Sequence, residues 1–201
     1  MAGRKVHIGV PEFIMLNLVP KDIDSFLDIG CGGSPQTRFI RPRLRVSTDA
    51  STKLVGWPIA PFILCNALQL GEILPPRHFD LVCALDVIEH LGKDDGRKLI
   101  EIAERLCKRR VIFFTPSGEL WMDGEGDPFM THLSGWTPEE FQGLGYATWI
   151  FPDYHRPDGN GAGGAFYAVK DSVDLALMKL GGVEERYADN YWVTPDGERI
   201  A

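Results

Sequence analysis

A glycine-rich turn follows an apolar run near the start of the chain, in FLDIGCGGSP at residues 26–35. In strand–turn–helix units of this type, backbone amides approach a nucleotide-like ligand. The dinucleotide fingerprint G-x-G-x-x-G needs a third glycine for close packing beside a pyrophosphate. Gly30 and Gly32 supply the first two, but Pro35 occupies the third position and disfavours NAD or FAD. A P-loop is excluded because no G-K-[ST] follows.

Two acidic residues near this turn indicate a different ligand. Asp28 precedes the first glycine, where a carboxylate would repel a pyrophosphate but attract an ammonium group. Asp49 ends the next predicted strand, where an acid can accept both hydroxyls of a ribose. Amides at the start of the following helix can bind a carboxylate. An amino group, a carboxylate and a ribose in one molecule describe S-adenosylmethionine, which we expect as the cofactor.

A second group of polar residues, in DVIEHL and the later THLSGW, could act on an acceptor. Asp86, Glu89 and His90 are spaced to share one face of a helical turn, and His132 would join them from a later segment. In one interpretation, His90 or His132 is a neutral imidazole that deprotonates an acceptor hydroxyl. In the other, these residues bind a divalent metal that polarises the acceptor. We favour catalysis by His90, His132 and Glu89 without a metal.

The elements that position these residues are predicted from hydrophobic periodicity. Strands are expected at 25–30, 45–51, 61–67, 110–116 and in FDLVCALDVIEHL, which becomes helical near its end. Helices are expected over 34–40 and 94–108, and from Thr137 as N-cap with Pro138 and Glu140 behind it. YATWIF and AFYAVK predict an antiparallel pair of strands.

This alternation predicts an α/β fold with one doubly wound, mostly parallel seven-stranded sheet and an antiparallel last strand. We expect one domain over 1–201, with a leading amphipathic helix at 1–24, a core at 25–170 and a C-terminal extension at 171–201. The basic clusters RPRLR at 41–45 and KRR at 108–110 precede strands and are predicted to be solvated connections.

The motifs LDIGCGGS, STDAS, CNAL and FDLVCALDVIEHL, taken in order, resemble those of the class I S-adenosylmethionine-dependent methyltransferases. The chain is most similar to the group that contains the ubiquinone-pathway O-methyltransferases and many small-molecule and glycan methyltransferases, over about residues 25–170. The resemblance implies a Rossmann-like fold in which Asn66 meets the adenine amino group, with Ala67 and Leu68 beside the ring. The cofactor-binding residues that we predict are Asp28, Gly30, Cys31, Gly32, Gly33, Ser34, Asp49, Ala50, Ser51, Asn66, Ala67, Leu68, Asp86 and Val87.

The resemblance also bears on the acceptor. We expect O-methylation of a small molecule or sugar, because FTPSG lacks the D/N-P-P-Y signature of methyltransferases that act on DNA bases. Glu89-His90 with a distant histidine is similar to the metal ligands of enzymes that methylate the terminal ribose of small RNAs. Metal-assisted 2′-O-methylation of an RNA end is therefore one alternative, and a non-catalytic cofactor-binding subunit is another. Trp121, Phe129 and Trp136 could line an acceptor pocket or pack within a lid.

Composition narrows the class of partner. The net charge of −7 and a pI near 5.2 disfavour a nucleic-acid partner, because binding to phosphates usually requires a basic surface. No apolar run is long enough to span a membrane, and the N-terminal residues do not fit a signal peptide. The four scattered cysteines are typical of reduced thiols, so a cytoplasmic protein is expected. The oligomeric state is left open, a homodimer included.

Overall fold

The computed structural model describes residues 4–5, 13–33, 36–51, 61–119, 124, 126–152, 154, 164–172, 192–193 and 199–200. Within these ranges, no helix has the length and apolar character needed to cross a membrane.

The centre of the fold is an eight-stranded sheet with the strand order β1-β7-β8-β6-β5-β2-β3-β4. Only β8 runs antiparallel to its neighbours β6 and β7, while the other neighbouring pairs in this sheet are parallel. The predicted α/β fold is therefore confirmed: β2 to β8 form the seven expected strands, and the two-residue β1 adds an edge beside β7. A separate antiparallel pair joins β9 and β10. The strands are β1 Arg4–Lys5, β2 Ser25–Ile29, β3 Leu44–Asp49, β4 Phe62–Leu64, β5 Phe79–Leu85, β6 Cys107–Pro116, β7 Ala147–Phe151, β8 Ala165–Asp171, β9 Trp192–Val193 and β10 Arg199–Ile200.

Three α-helices are described: α1 at Leu70–Ile73, α2 at Lys93–Leu106 and α3 at Pro138–Gly143. Shorter turns of helix lie at Ile14–Leu18 (π), Ala67–Gln69 and Ile88–His90 (both 3-10). The predicted start of α3 is confirmed, because the Thr137 side chain accepts from the Glu140 amide and the Glu140 side chain accepts from the Thr137 amide.

Both faces of the sheet are covered, which explains why β2 is buried at all five positions. Leu27 and Ile29 pack on the side of α2 and α3, whereas Phe26 packs on the opposite side with Phe13 and Tyr167. Because β2 lies between β3 and β5, the loop that follows it emerges at the middle of the carboxyl edge of the sheet. Ligands of open α/β sheets bind at this edge.

Two predicted elements differ near this edge. The helix expected over 34–40 is not formed in its described part, since residues 36–39 are turns that the Ile40 amide closes onto the Thr37 carbonyl. Arg45 also donates to the carbonyls of Thr37 and Ile40, so these acceptors are bound by a side chain instead of by a further helical turn. The strand expected over 61–67 stops at Leu64, because Asn66 caps the next turn.

The ends of the chain are described only in part. Within 1–24, the described residues form strand β1 and, from Phe13 to Leu18, helical turns, while residues 6–12 lie outside the described residues, so the leading helix stays a prediction. Most of the predicted extension at 171–201 lies outside the described residues, and the domain boundaries stay a prediction.

Candidate active site

The glycine-rich loop at residues 30–33 is held against the end of β3. The Cys31 amide donates to the Thr48 carbonyl at 2.8 Å, and the Gly32 amide donates to Asp49 Oδ2, also at 2.8 Å. Gly30 has a φ of +63°, and a Cβ there would lie 2.4 Å from Val87 Cγ2. Gly32 has a φ of +43°, but a Cβ there would meet nothing within 4 Å. Gly30 is thus needed for packing, whereas Gly32 leaves space for a ligand.

That space is a cavity of about 290 Å³, close to the lower end of the range for small-ligand sites. Predicted cofactor residues form much of its wall: Gly30, Cys31, Gly32, Gly33, Asp49, Ala50, Asn66, Ala67, Asp86 and Val87. Phe129, which the sequence suggested for an acceptor pocket, also lines it, and the wall residues that the sequence reasoning missed are Gln36, Thr48, Cys65, Leu85, Leu91 and Met130. Thr48, Cys65 and Leu85 flank or end strands at the carboxyl edge, so the strand pattern carried a signal for these three.

Asp28 does not line the cavity. It is 2% exposed, and its Oδ2 accepts from Arg45 Nη2 at 2.6 Å and from Thr37 Oγ1 at 2.5 Å. Burial raises the pKa of Asp28 to about 6, although Thr37 and Arg45 act in the opposite direction. The structure therefore gives this carboxylate partners from the protein itself, instead of the ligand ammonium group that the sequence suggested.

Three further residues that were predicted to bind the cofactor are not seen in the cavity wall: Ser51, Leu68 and Ser34. The Ser51 amide donates to Asp49 Oδ1 at 2.8 Å, and its hydroxyl donates to Asp127 Oδ2 at 3.1 Å. Leu68 donates its amide to the side chain of Asn66 at 2.9 Å and does not line the cavity. Ser34 lies outside the described residues.

Asp86 lines the cavity and has an unusual backbone conformation. It follows β5 with a φ of +53°, a conformation that few residues other than glycine adopt. Gln36 Nε2 donates to Asp86 Oδ2 at 3.4 Å, and Tyr167 donates its hydroxyl to Gln36 Oε1 at 2.7 Å. The single helical face predicted for Asp86, Glu89 and His90 is not formed, because the turn includes only Ile88–His90.

His90 lies in the cavity wall with its ring orientation fixed. Its Nδ1 is 3.2 Å from the carbonyl oxygen of Thr131. Because a carbonyl only accepts, Nδ1 carries the proton of the neutral ring and Nε2 is the basic nitrogen. Burial lowers the pKa of His90, and the nearby His132 adds to this effect. The two rings pack edge to face with their centroids 4.9 Å apart.

Glu89, the residue before His90, is 2% exposed. Thr115 donates its hydroxyl to Glu89 Oε2 at 3.0 Å, while Oε1 is buried without a hydrogen-bond partner among the described residues. Burial raises the pKa of Glu89 well above its ordinary value, and the charge of Asp86 contributes. Glu89, His90 and His132 each offer one ligand atom within 4.8 Å of the others. The structure thus brings together all three predicted catalytic residues.

The segment before α3 holds His132 beside this group. The amides of Leu133 and Ser134 donate to the Glu89 carbonyl at 2.7 and 3.1 Å. Trp136 is buried in the core, where its ring lies under Lys93 Nζ at 3.9 Å from the centroid, so it packs the segment in place. Phe129 lines the cavity, and Trp121 is outside the described residues.

Comparison with known proteins relates this chain to a family and to solved structures. Residues 27–115 match a family model described as a methyltransferase domain. This part of the chain is similar to a methyltransferase domain. The match spans β2 to nearly the end of β6 and so contains both the glycine-rich loop and His90. No curated protein matches the chain by sequence.

Several solved structures share the fold of this chain. An SAM-dependent methyltransferase from Archaeoglobus fulgidus has a TM-score of 0.54 at 15% identity, covering 73% of this chain and 85% of its own. A protein from Pyrococcus horikoshii has a TM-score of 0.53 at 15% identity, with coverage of 80% and 86%. DhpI in complex with SAH has a TM-score of 0.51 at 16% identity, with coverage of 74% and 76%. At these identities the likeness supports the fold.

The family match confirms the prediction of an enzyme that transfers a methyl group from S-adenosylmethionine. The residues also fit this cofactor, because Gly32 leaves open space at the loop and the Asp49 carboxylate borders the same cavity. The grouping with ubiquinone-pathway O-methyltransferases, the cytoplasmic location and the nature of the acceptor stay predictions.

Proposed function

We propose that the methyltransferase acts on a hydroxyl group of a small molecule or sugar, with His90 as the general base. The observation that supports this most directly is the His90 ring in the cavity wall, with Nδ1 engaged by the Thr131 carbonyl. Its lowered pKa favours the neutral imidazole, which is the form that can accept a proton at neutral pH. The net charge of −7 supports an acceptor other than a polyanion.

The proposed roles follow from the cavity wall. Loop residues 30–33 would hold the amino-acid part of the cofactor, Asp49 the ribose, and Asn66 with Ala67 the adenine. When bound, S-adenosylmethionine would supply an electrophilic methyl group for attack by an acceptor oxygen, with S-adenosylhomocysteine as the leaving group. His90 Nε2 would take the proton from that oxygen, and His132 would support the His90 ring through their edge-to-face contact. Glu89 would hold the segment at residues 131–134 through its carbonyl.

Variants at the two histidines test this proposal. His90→Ala and His132→Ala should bind S-adenosylmethionine in calorimetry with nearly the wild-type affinity, yet lose most turnover on a panel of hydroxylated small molecules and sugars. We expect a loss of about 10²–10⁴-fold for His90, the usual contribution of a general base. His78→Ala is the matched control, because His78 is exposed and does not line the cavity. Full turnover by His90→Ala would exclude the base role.

A second candidate is metal-assisted 2′-O-methylation of an RNA end. Its specific support is the grouping of Glu89, His90 and His132 within 4.8 Å, together with the buried Glu89 Oε1 that lacks a hydrogen-bond partner among the described residues. Imidazole and carboxylate ligands suit several divalent ions. When bound, such an ion would polarise the acceptor hydroxyls and so reduce the need for a base.

Metal titration separates the two candidates. If the second is correct, Mn²⁺ or Zn²⁺ should bind the wild type with a stoichiometry near one, and Glu89→Gln should abolish binding. Turnover on a short RNA with a free 2′,3′-diol should then disappear after chelation and return with the ion. Turnover on a hydroxylated small molecule that survives chelation would favour the first candidate. Cofactor binding without turnover on either panel would favour a non-catalytic cofactor-binding subunit.

A further inference from the structure

Arg45 makes an unusually complete set of contacts beside the cofactor loop. Although it belongs to the predicted solvated cluster at 41–45, it is only 9% exposed. Its Nη2 donates to Asp28 Oδ2 at 2.6 Å and to Thr37 Oγ1 at 2.9 Å. Its Nη1 donates to the carbonyls of Thr37 at 2.7 Å and Ile40 at 3.1 Å, and its Nε donates to Ser47 Oγ at 3.3 Å. All three guanidinium nitrogens are therefore engaged.

These contacts connect the two flanks of the glycine-rich loop. Asp28 lies on β2 just before Gly30, whereas Thr37 lies in the segment that follows the loop. Thr37 also donates its hydroxyl to Asp28, so the two flanks are joined both directly and through Arg45. The guanidinium carbon lies 4.9 Å from the centroid of the Phe26 ring, which further restricts its position.

The contacts extend to the cavity wall through Gln36. This residue precedes Thr37, lines the cavity and donates to Oδ2 of Asp86, another cavity-lining residue, at 3.4 Å. A shift of Thr37 would therefore move Gln36 and alter its contact with Asp86. None of Arg45, Asp28 and Thr37 lines the cavity itself, so they act on a bound ligand only through the residues that they hold.

A buried ion pair contributes little net stability compared with apolar residues of similar size, because two charges must be desolvated. Its geometry is nevertheless specific, since the planar guanidinium fixes several acceptors at once. We propose that Arg45 is a positioning residue, which holds residues 30–33 and Gln36 in the geometry that binds S-adenosylmethionine. This inference rests on the cofactor site described above.

Cofactor binding and unfolding, measured together on four variants, test this role without knowledge of the acceptor. Arg45→Met should raise the Kd for S-adenosylmethionine at least tenfold and lower stability to urea, because Asp28 keeps a buried charge. Asp28→Asn combined with Arg45→Met removes that charge and should recover most of the stability. The double variant should still bind the cofactor at least tenfold more weakly, since the anchors at the Thr37 and Ile40 carbonyls are lost. Arg45→Lys should also bind the cofactor at least tenfold more weakly, because a lysine keeps the charge but cannot reproduce the planar set of contacts.

Arg43→Met is the matched control, because Arg43 is exposed in the same segment; its Kd should equal that of the wild type. A Kd that recovers in parallel with stability in the double variant would overturn the inference, since Arg45 would then serve stability alone. A Kd within twofold of the wild type in folded Arg45→Lys would also overturn it. If Arg45→Met does not fold, the Kd values of the double variant and of Arg45→Lys still test the positioning role. Failure of the wild type to bind S-adenosylmethionine would instead refute the cofactor site and would be seen before any variant is compared.

Discussion

Replacement of Gly30 by alanine tests the packing of the cofactor loop against the turn that carries His90. At this position the φ is +63°, and the new Cβ would lie 2.4 Å from Val87 Cγ2 and 3.2 Å from Cγ1. No pair of carbon atoms tolerates the shorter distance. Either the loop or Val87 must therefore move, and both line the cavity.

The expected cost has two parts. A residue with a Cβ in the left-handed region costs about 1–2 kcal/mol relative to glycine, and overpacking of a filled site costs about 1–3 kcal/mol. Gly30→Ala should thus lower the free energy of unfolding by about 2–5 kcal/mol, a large share of the about 5–15 kcal/mol typical of a folded protein. S-adenosylmethionine affinity should fall in the fraction that remains folded, because the displaced groups border the cavity.

Equilibrium unfolding in urea measures the stability, and calorimetry measures the affinity. Gly32→Ala is the matched control: its φ is +43°, but its Cβ would meet nothing within 4 Å. It should show only the backbone cost, while its methyl group weakens cofactor binding by occupying the open space. A double variant, Gly30→Ala with Val87→Ala, should recover the part of the unfolding free energy that Gly30→Ala loses through overpacking.

The explanation would be refuted if Gly30→Ala and Gly32→Ala lost equal stability. It would also be refuted if Val87→Ala failed to compensate Gly30→Ala, because the larger cost at Gly30 is attributed to the clash with Val87.

Three further results are expected. Asp49→Ala should raise the Kd for S-adenosylmethionine about tenfold or more in calorimetry, because a charged acceptor of hydrogen bonds contributes about 1.5–3 kcal/mol; an unchanged Kd would remove Asp49 from the site. Gly96→Ala should destabilise the protein in urea, because the new Cβ would lie 2.4 Å from Trp136 Cζ2. The overpacking cost of about 1–3 kcal/mol outweighs a gain in helix propensity of at most about 1 kcal/mol. A gain in stability would contradict this packing of Gly96 against Trp136. Burial raises the pKa of Asp28 from 3.8 to about 6, so the folded state binds this proton more tightly than the unfolded chain. The stability of the wild type relative to Asp28→Asn should therefore fall by about 3 kcal/mol as the pH rises from about 4 to about 6 and stay level above that; a constant difference would contradict the raised pKa.

The sequence alone predicted the elements whose signal is local. Continuous apolar runs predicted the strands, and the capping box at Thr137 predicted the start of α3, because both depend on neighbouring residues. Much of the cavity wall consists of residues that the sequence suggested, since residues that follow parallel strands meet at one edge of a sheet. Gly30, Asp49 and Asp86 line the cavity for this reason, and their contact with the cofactor stays a prediction.

Only the tertiary structure decided which partners the buried charges take. Asp28 was expected to face a ligand and Arg45 to face solvent, yet they pair across 17 residues of sequence. Arg110, in the other basic cluster, is likewise buried and pairs with Asp171 across 61 residues. His90 and His132 come within 4.9 Å only because the segment before α3 folds back over the Glu89 carbonyl. A charged side chain looks the same in sequence whether water or a distant residue solvates it, so the folded chain alone determines the partner.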